Sequence, residues 1–211
     1  MNGVLKEIFE WVYCFIIAVI IAVLVKYYVG TPTVVKHKSM YPTLIENQRL
    51  ILNRWVRTTS KNYKRGDIVT FEAPSVGFIA AEDADLENPK AIYEEVEGTF
   101  NKLRYYVFEI GKQSYIKRVI GLPGEHVKIE NGKVYINGEE LQEDYLQDGV
   151  ITDALYGAFT DIVVPEGYLF LLGDNRSGSS DCRRFGCIPI EKIEGKVLIR
   201  FWPLNLFGKV E

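Results

Sequence analysis

The stretch Val127-Lys-Ile-Glu-Asn-Gly-Lys-Val-Tyr-Ile136 alternates apolar and polar residues on both sides of a central Asn131-Gly132 pair. Alternation of this kind has the period of a half-buried strand, and Asn-Gly favours the two-residue turn of a β-hairpin. The stretch therefore predicts two antiparallel strands. Asn137-Gly138, directly after it, predicts a further turn.

Further short runs rich in Leu, Ile, Val and Phe predict more strands. They lie at residues 48–56, 67–71, 168–172 and 195–202. Short strands separated by turn signals are typical of a mainly β fold, and we expect a barrel-like or folded-ribbon core. Two irregular regions interrupt the pattern, and we expect an insertion or small subdomain at about 73–113 and a long connection at 141–160.

An apolar and aromatic run at residues 11–25 continues as Lys26-Tyr-Tyr-Val29. It approaches the roughly 20 residues that a helix needs to cross a hydrocarbon core. A cleaved secretory signal has a similar run, but here Glu7 and Glu10 precede it and no small-x-small site follows it. We therefore expect a retained membrane anchor. The predicted division is an anchor at 1–30 and a globular domain at 31–211.

Composition excludes two classes of function. With 25 Lys and Arg against 28 Asp and Glu, the net charge is −3, so no strongly basic surface invites nucleic acid. With 2 His and 3 Cys, the chain lacks the ligand pairs of a zinc site, and no metal centre is expected. Cys182 and Cys187 could pair in an oxidising compartment, which the sequence leaves open.

Ser39 is the candidate nucleophile. It lies in Ser39-Met-Tyr-Pro-Thr-Leu44, shortly after the expected membrane exit, and Pro42 stiffens the turn around it. A lone serine carries no chemistry, because a hydroxyl must be activated by a base. His37 is close by, but no acid that would orient it can be identified, so we reject it as that base.

Lys117 is the better candidate for the general base. It lies in Tyr115-Ile-Lys-Arg-Val-Ile120, where strand alternation and apolar neighbours favour a desolvated amine. Desolvation lowers the pKa of a lysine and makes its neutral form available as a proton acceptor. A third polar stretch, residues 173–186, combines short hydroxyls with two aspartates and three arginines, and it predicts a buried hydrogen-bonded network.

Together these stretches resemble bacterial type I signal peptidases of the short, single-anchor kind. The matching motifs follow the order of that family along most of the chain. They are Ser39-Met-Tyr-Pro-Thr-Leu44, Arg65-Gly-Asp-Ile-Val69, Tyr115-Ile-Lys-Arg-Val-Ile-Gly-Leu-Pro-Gly-Glu125 and Gly173-Asp-Asn-Arg176.

The resemblance implies a membrane-bound serine endopeptidase that removes signal peptides from secreted pre-proteins through an acyl-enzyme. It implies a mainly β catalytic domain outside the cytoplasm, a single membrane span with its N-terminus inside, and partners limited to pre-proteins and the lipid bilayer. No metal or organic cofactor is implied. The roles it implies are Ser39 as nucleophile, Lys117 as general base, Ser179 as the residue that holds the lysine amine, and Asp174, Arg176, Asp181 and Arg183 as polar supports of the site.

One position departs from the family pattern. Relatives usually carry a small residue, often Gly or Ser, two positions before the nucleophile, where a hydroxyl can complete the oxyanion hole. This chain has His37 there, so either His37 is the donor or the hole is built differently. Two rival functions are a self-cleaving repressor, whose DNA-binding domain is replaced here by the apolar N-terminus, and a catalytically silent or specialised factor for assembling surface fibres.

Overall fold

A computed structural model describes residues 3–56, 62–155 and 157–210. The chain begins with a long helix, α1 (Gly3–Leu24), which runs on into one π-helical turn at Val25–Val29. None of its residues is buried against the rest of the protein. The 27-residue segment Gly3–Val29 is long and apolar enough to cross a bilayer, by its length and composition.

The rest of the chain is mainly β, as predicted. Two further α-helices lie within the described ranges, α2 (Thr99–Tyr106) and α3 (Cys182–Phe185), and single 3₁₀ turns lie at Lys38–Met40, Ile190–Lys192 and Leu204–Leu206. The strands are β1 (Gly30–Val34), β2 (Arg49–Asn53), β3 (Ile68–Glu72), β4 (Ser114–Gly121), β5 (His126–Glu130), β6 (Lys133–Ile136), β7 (Glu139–Glu140), β8 (Asp161–Val163), β9 (Tyr168–Leu172), β10 (Ile188–Pro189) and β11 (Ile193–Trp202).

The described strands form two antiparallel sheets. A seven-stranded sheet has the order β1-β2-β11-β3-β4-β9-β10, and a four-stranded sheet has the order β7-β6-β5-β8. The sheets meet at Gly121 at the end of β4, where an added Cβ would lie 2.6 Å from Val127 and 2.9 Å from Val164. Only a glycine allows this close approach. The shared core lies between the sheets, with Phe170 and Leu171 fully buried.

The predicted hairpin is confirmed. Val127 of β5 pairs with Ile136 of β6, and Asn131 and Gly132 between the strands have φ angles of 53° and 80°. Positive φ at both turn positions is the geometry that Asn-Gly favours. The predicted strand at 48–56 is shorter, because the Asn53 side chain accepts a hydrogen bond from the Trp55 N–H (3.0 Å) and turns the chain out of the sheet.

Residues 73–113 connect two paired strands. Glu72 of β3 lies opposite Ser114 of β4, and the Ala73 N–H donates to the Gln113 carbonyl (2.9 Å) at the base of the connection. The segment is thus a long connection between neighbouring strands of the seven-stranded sheet, irregular except for α2. Cys182 and Cys187, whose pairing the sequence left open, are both free and buried.

Candidate active site

Ser39 is held by the short turn in which it lies. The 3₁₀ turn Lys38–Met40 follows β1, and Met40 and Leu44 on its inner side are fully buried in a small second core under β1 and β2. Burying two large apolar side chains fixes the path of the backbone between them. From the other side, the Asn175 N–H donates to the Ser39 carbonyl (3.0 Å). The half-buried hydroxyl of Ser39 therefore has a defined position.

Lys117 on β4 meets this hydroxyl. Its Nζ donates to Ser39 Oγ (2.8 Å) and to the Ile116 carbonyl (3.1 Å), although the two residues are 78 positions apart in sequence. The Lys117 side chain is only 3% exposed. Burial lowers its pKa from 10.5 to about 8, against the opposing effect of nearby Asp181 and Asp174, which favour the charged form.

Three buried arginines surround the site, and each has a carboxylate partner. Arg118 Nε and a terminal nitrogen donate to Asp174 (2.9 and 2.8 Å), and Arg183 does the same to Asp181 (2.8 Å each). Arg176 donates to Glu143 (2.8 Å). Such pairing offsets the cost of burying a guanidinium.

Lys117 differs from these three cations. Within the described ranges, no carboxylate lies within ion-pair distance of its Nζ, although the residue is buried to a similar degree. An unpaired buried ammonium is costly, so burial shifts the balance towards the neutral amine and makes it available near pH 8. The geometry therefore places a hydroxyl next to an amine that can accept its proton near neutral pH.

Ser179 lies beside this pair but does not contact it through a hydrogen bond in the part of the chain that is described. Its Oγ is buried and has no hydrogen-bond partner there. Gly173 lies next to both serines: a Cβ added to it would be 2.2 Å from Ser179 Oγ and 2.5 Å from the Ser39 carbonyl oxygen. The expected role of Ser179 in holding the Lys117 amine stays a prediction.

The other predicted supports are all brought to the site. Asp174 also accepts from Thr43 Oγ1 (2.6 Å), four residues past the nucleophile, and so joins the Ser39 turn to β4. Asp181 accepts from the Gly173 N–H (3.1 Å). Arg176 donates to the Gly173 carbonyl (3.1 Å), so both peptide groups of that glycine are held. The predicted polar network therefore exists, and it fixes the backbone between Ser39 and Ser179.

Four contributors were not among the predicted site residues. Thr43 and Gly173 are two of them, and Arg118 and Glu143 are the others. Arg118 could have been suspected, because an arginine inside an apolar strand needs a buried acid. Glu143 gave no signal, since it lies in the irregular segment 141–160 and contacts Arg176 only through the tertiary fold.

A groove of about 670 Å³ opens at Ser39 and Lys117. One wall is the chain from Thr33 to Ser39, at the end of the edge strand β1, and the opposite wall is the first half of β4, Ser114 to Lys117. One edge of this half of β4 pairs with β3. Along its other edge, the pairing with β9 begins only at Arg118. His37 is exposed on the first wall, two residues before the nucleophile.

A family model described as signal peptidase, peptidase S26, matches residues 8–202. The chain belongs to the signal peptidase family. It is 32% identical to signal peptidase I of Bacillus licheniformis over 98% of this chain and 95% of the relative. It is 32% identical to signal peptidase IB of Staphylococcus aureus strain COL, over 96% of this chain and 93% of the relative.

Among solved structures, the chain is similar to a signal peptidase I from Enterococcus faecalis V583, with 30% sequence identity and a TM-score of 0.41. The similarity covers 66% of this chain and 99% of that one. The resemblance stated from the motifs is thus confirmed by the full-length relatives. Family membership makes this chain a hydrolase of the serine endopeptidase class, in a family whose members remove signal peptides.

Proposed function

We propose that the chain is a membrane-anchored signal peptidase that works through an acyl-enzyme, with Ser39 as nucleophile and Lys117 as general base. The observation that carries the proposal is the 2.8 Å hydrogen bond between Lys117 Nζ and Ser39 Oγ. The Lys117 amine is buried, with its pKa lowered by burial to about 8, whereas each arginine nearby has a carboxylate.

In the proposed reaction the neutral Lys117 amine takes the Ser39 proton while Ser39 Oγ attacks the scissile carbonyl. The resulting ammonium gives that proton to the leaving amine, so the C–N bond breaks and the acyl group stays on Ser39. Lys117, neutral again, then takes a proton from a water molecule whose oxygen attacks the ester. The ammonium gives that proton to Ser39 Oγ as the ester bond breaks, and the new C-terminal acid leaves. Each proton that Lys117 accepts is returned, and the enzyme ends unchanged.

Ser179 is proposed to hold the Lys117 amine. A buried hydroxyl with no partner among the described residues is unusual, because buried polar groups are normally hydrogen-bonded. Rotation of the lysine side chain on substrate binding is proposed to give Ser179 Oγ this hydrogen-bond partner. The four supports are proposed to hold the surroundings of this pair. Asp181 and Arg176 bind the two peptide groups of Gly173, Asp174 accepts from the Thr43 hydroxyl, and Arg183 donates to Asp181.

The oxyanion is proposed to be stabilised by the Ser39 backbone N–H and a second donor. His37 is the candidate for that donor, because it is exposed on the groove wall two residues before Ser39. In other serine peptidases, loss of such a donor costs about 2.7–4 kcal/mol of transition-state stabilisation. The alternative, a hole built without a side-chain donor, predicts that substituting His37 changes turnover little.

The substrate is proposed to be the extended segment that follows the apolar core of a signal peptide. Such a segment can add as a strand between the two groove walls, with main-chain hydrogen bonds to residues around Thr33–Val35 and Ser114–Ile116. The segment 1–30 is proposed as a single membrane anchor with its N-terminus in the cytoplasm, and 31–211 as the extracytoplasmic catalytic domain. Anchoring enzyme and substrate in one bilayer raises their effective concentration.

The test uses the full-length protein in detergent or vesicles with a model pre-protein, and maps the new N-terminus by mass spectrometry. We expect one cut after the signal peptide, abolished in Ser39→Ala and Lys117→Ala and retained in Lys38→Ala, an exposed neighbour. Circular dichroism checks that the variants fold. Near-normal turnover by folded Lys117→Ala would overturn the dyad, and absence of any cut by the wild type would favour a silent assembly factor.

A further inference from the structure

The connection at 73–113 carries an apolar surface that the catalytic site does not use. Four large side chains on or just after α2 are between 48% and 75% exposed. We call them the α2 face; they are Phe100, Leu103, Phe108 and Ile110. Several large exposed apolar side chains within eleven residues are more than the scattered single ones of an ordinary surface, and they point to an interaction surface.

The α2 face points away from the catalytic domain. At 3.6 residues per turn, Phe100 and Leu103 lie on the side of α2 opposite Tyr105. Tyr105 faces inward, since its ring lies 5.8 Å from Lys112 Nζ, and Lys112 forms an ion pair with the buried Glu194 (2.6 Å). The inner side of the segment is therefore packed on the sheet, and the α2 face is left outward.

The segment is tied to the end of the apolar helix. Glu109, between Phe108 and Ile110, forms ion pairs with Lys26 (2.8 Å) and with Arg54 (2.7 Å). Lys26 lies in the last turn of the apolar segment Gly3–Val29. The α2 face consequently lies beside the point where that segment leaves the bilayer, given the membrane anchoring proposed above.

The chemistry of this neighbourhood matches a membrane–water interface. Tyr28 and Trp55, at the helix exit and after β2, are also exposed, and aromatic rings favour the headgroup level. α2 also carries two basic residues, Lys102 and Arg104, and Arg104 lies one turn after Phe100 on the same side of the helix. Basic side chains beside an apolar face can bind the anionic headgroups of a bilayer.

We propose that the α2 face is a second membrane contact, which lies in the outer headgroup region and holds the catalytic groove at a fixed height above the bilayer. Lys112 and Ser114 line the groove, and Ile110 precedes Ser114 by four residues. Four residues span at most about 14 Å. The groove is thus kept close to the surface, where the apolar core of a signal peptide ends.

A fluorescence experiment on the full-length protein tests this contact. A polarity-sensitive NBD probe is attached at Phe100→Cys or at the remote, exposed position Glu139→Cys, both in a Cys14→Ala background, since Cys182 and Cys187 are buried. Vesicles contain phosphatidylcholine and phosphatidylglycerol, with or without a spin-labelled lipid quencher, and iodide is the aqueous quencher. We expect lipid quenching and iodide protection at position 100, and the reverse at position 139.

A probe on the native Cys14 within α1 separates this inference from the anchoring on which it rests. Iodide quenching at position 100 together with lipid quenching at Cys14 would overturn the second contact and keep the anchor. Iodide quenching at both positions would overturn the anchor and, with it, the contact.

Cleavage assays give an independent readout. Phe100→Asp is expected to lower the cleavage rate of a pre-protein embedded in vesicles about tenfold, because a charge at this position opposes insertion. It should leave the cleavage of a short soluble peptide unchanged, which also shows that the variant folds. The matched control Asn101→Asp adds the same charge beside the face and should change neither rate. Equal losses on both substrates, or none on either, would contradict a membrane role for Phe100.

Discussion

Replacing Lys117 with methionine should destroy activity and at the same time stabilise the fold. Burial lowers the pKa of Lys117 from 10.5 to about 8, and each pKa unit corresponds to about 1.4 kcal/mol. Below pH 8 the folded protein therefore holds a protonated amine at a cost of about 3 kcal/mol. Methionine has a similar length, suits a buried position and carries no charge.

The pH dependence follows from the same pKa. Between pH 8 and 10.5 the unfolded chain binds more protons at this residue than the folded chain, so wild-type stability rises with pH across that interval. The stability advantage of Lys117→Met over the wild type should then shrink by about 3 kcal/mol between pH 7 and pH 11. Titrations of groups that do not interact with Lys117 are common to both proteins and cancel in the difference.

Urea unfolding of the full-length proteins in detergent micelles, followed by tryptophan fluorescence at several pH values, measures this difference. Lys38→Met serves as a matched control, because Lys38 is exposed and solvated in the folded and unfolded chain alike. A difference for Lys117→Met that stays constant with pH would refute the reasoning, since it would mean that the Lys117 amine is not desolvated by folding.

Three further predictions concern the same site. Lys117 must be neutral to accept the Ser39 proton, and its pKa is about 8, so kcat/KM for a soluble peptide should rise roughly tenfold from pH 7 to pH 9. A flat pH profile would exclude this lysine as the base. Gly173→Ala should lower kcat by about a hundredfold or more, because the added methyl group would lie 2.2 Å from Ser179 Oγ and displace the site. Its control is Gly77→Ala, which should leave kcat unchanged in the same assay because nothing lies within 4 Å of the added methyl group. Asp174→Asn leaves a buried arginine unpaired and should cost about 3–5 kcal/mol of unfolding free energy. Glu140→Gln, which breaks an exposed ion pair, should cost under about 1 kcal/mol, and similar losses for both would contradict the assigned burial.

The sequence was sufficient for features that depend on local pattern. Asn131-Gly132 and its alternating flanks predicted the β5–β6 hairpin, because turn chemistry and strand period are encoded within ten residues. The apolar segment that forms α1 could also be recognised from its composition and length. Lys117 could be proposed as a base from its apolar strand, and the buried amine agrees with that proposal.

Contacts between side chains that are far apart in the sequence could not be predicted in the same way. The motifs indicated that Ser39 and Lys117 belong to one site, but only the fold shows that their side chains meet at 2.8 Å. Among the described residues, Lys117 has no carboxylate partner, whereas Arg118 beside it has Asp174. This difference depends on which face of β4 each side chain occupies and on where the loop after β9 folds back. The path of residues 73–113 was also unpredictable, because Glu109 finds Lys26 and Arg54 only in the folded chain.

The most direct test of the central claim is acylation of Ser39 by a serine-reactive penem inhibitor. The full-length protein would be incubated with the penem, digested, and the adduct located by mass spectrometry. We expect one adduct, on Ser39, that forms faster at pH 9 than at pH 7 and is lost in Lys117→Ala. Labelling of another residue, or labelling of Ser39 that is unchanged in folded Lys117→Ala, would contradict the proposed pairing of Ser39 with Lys117.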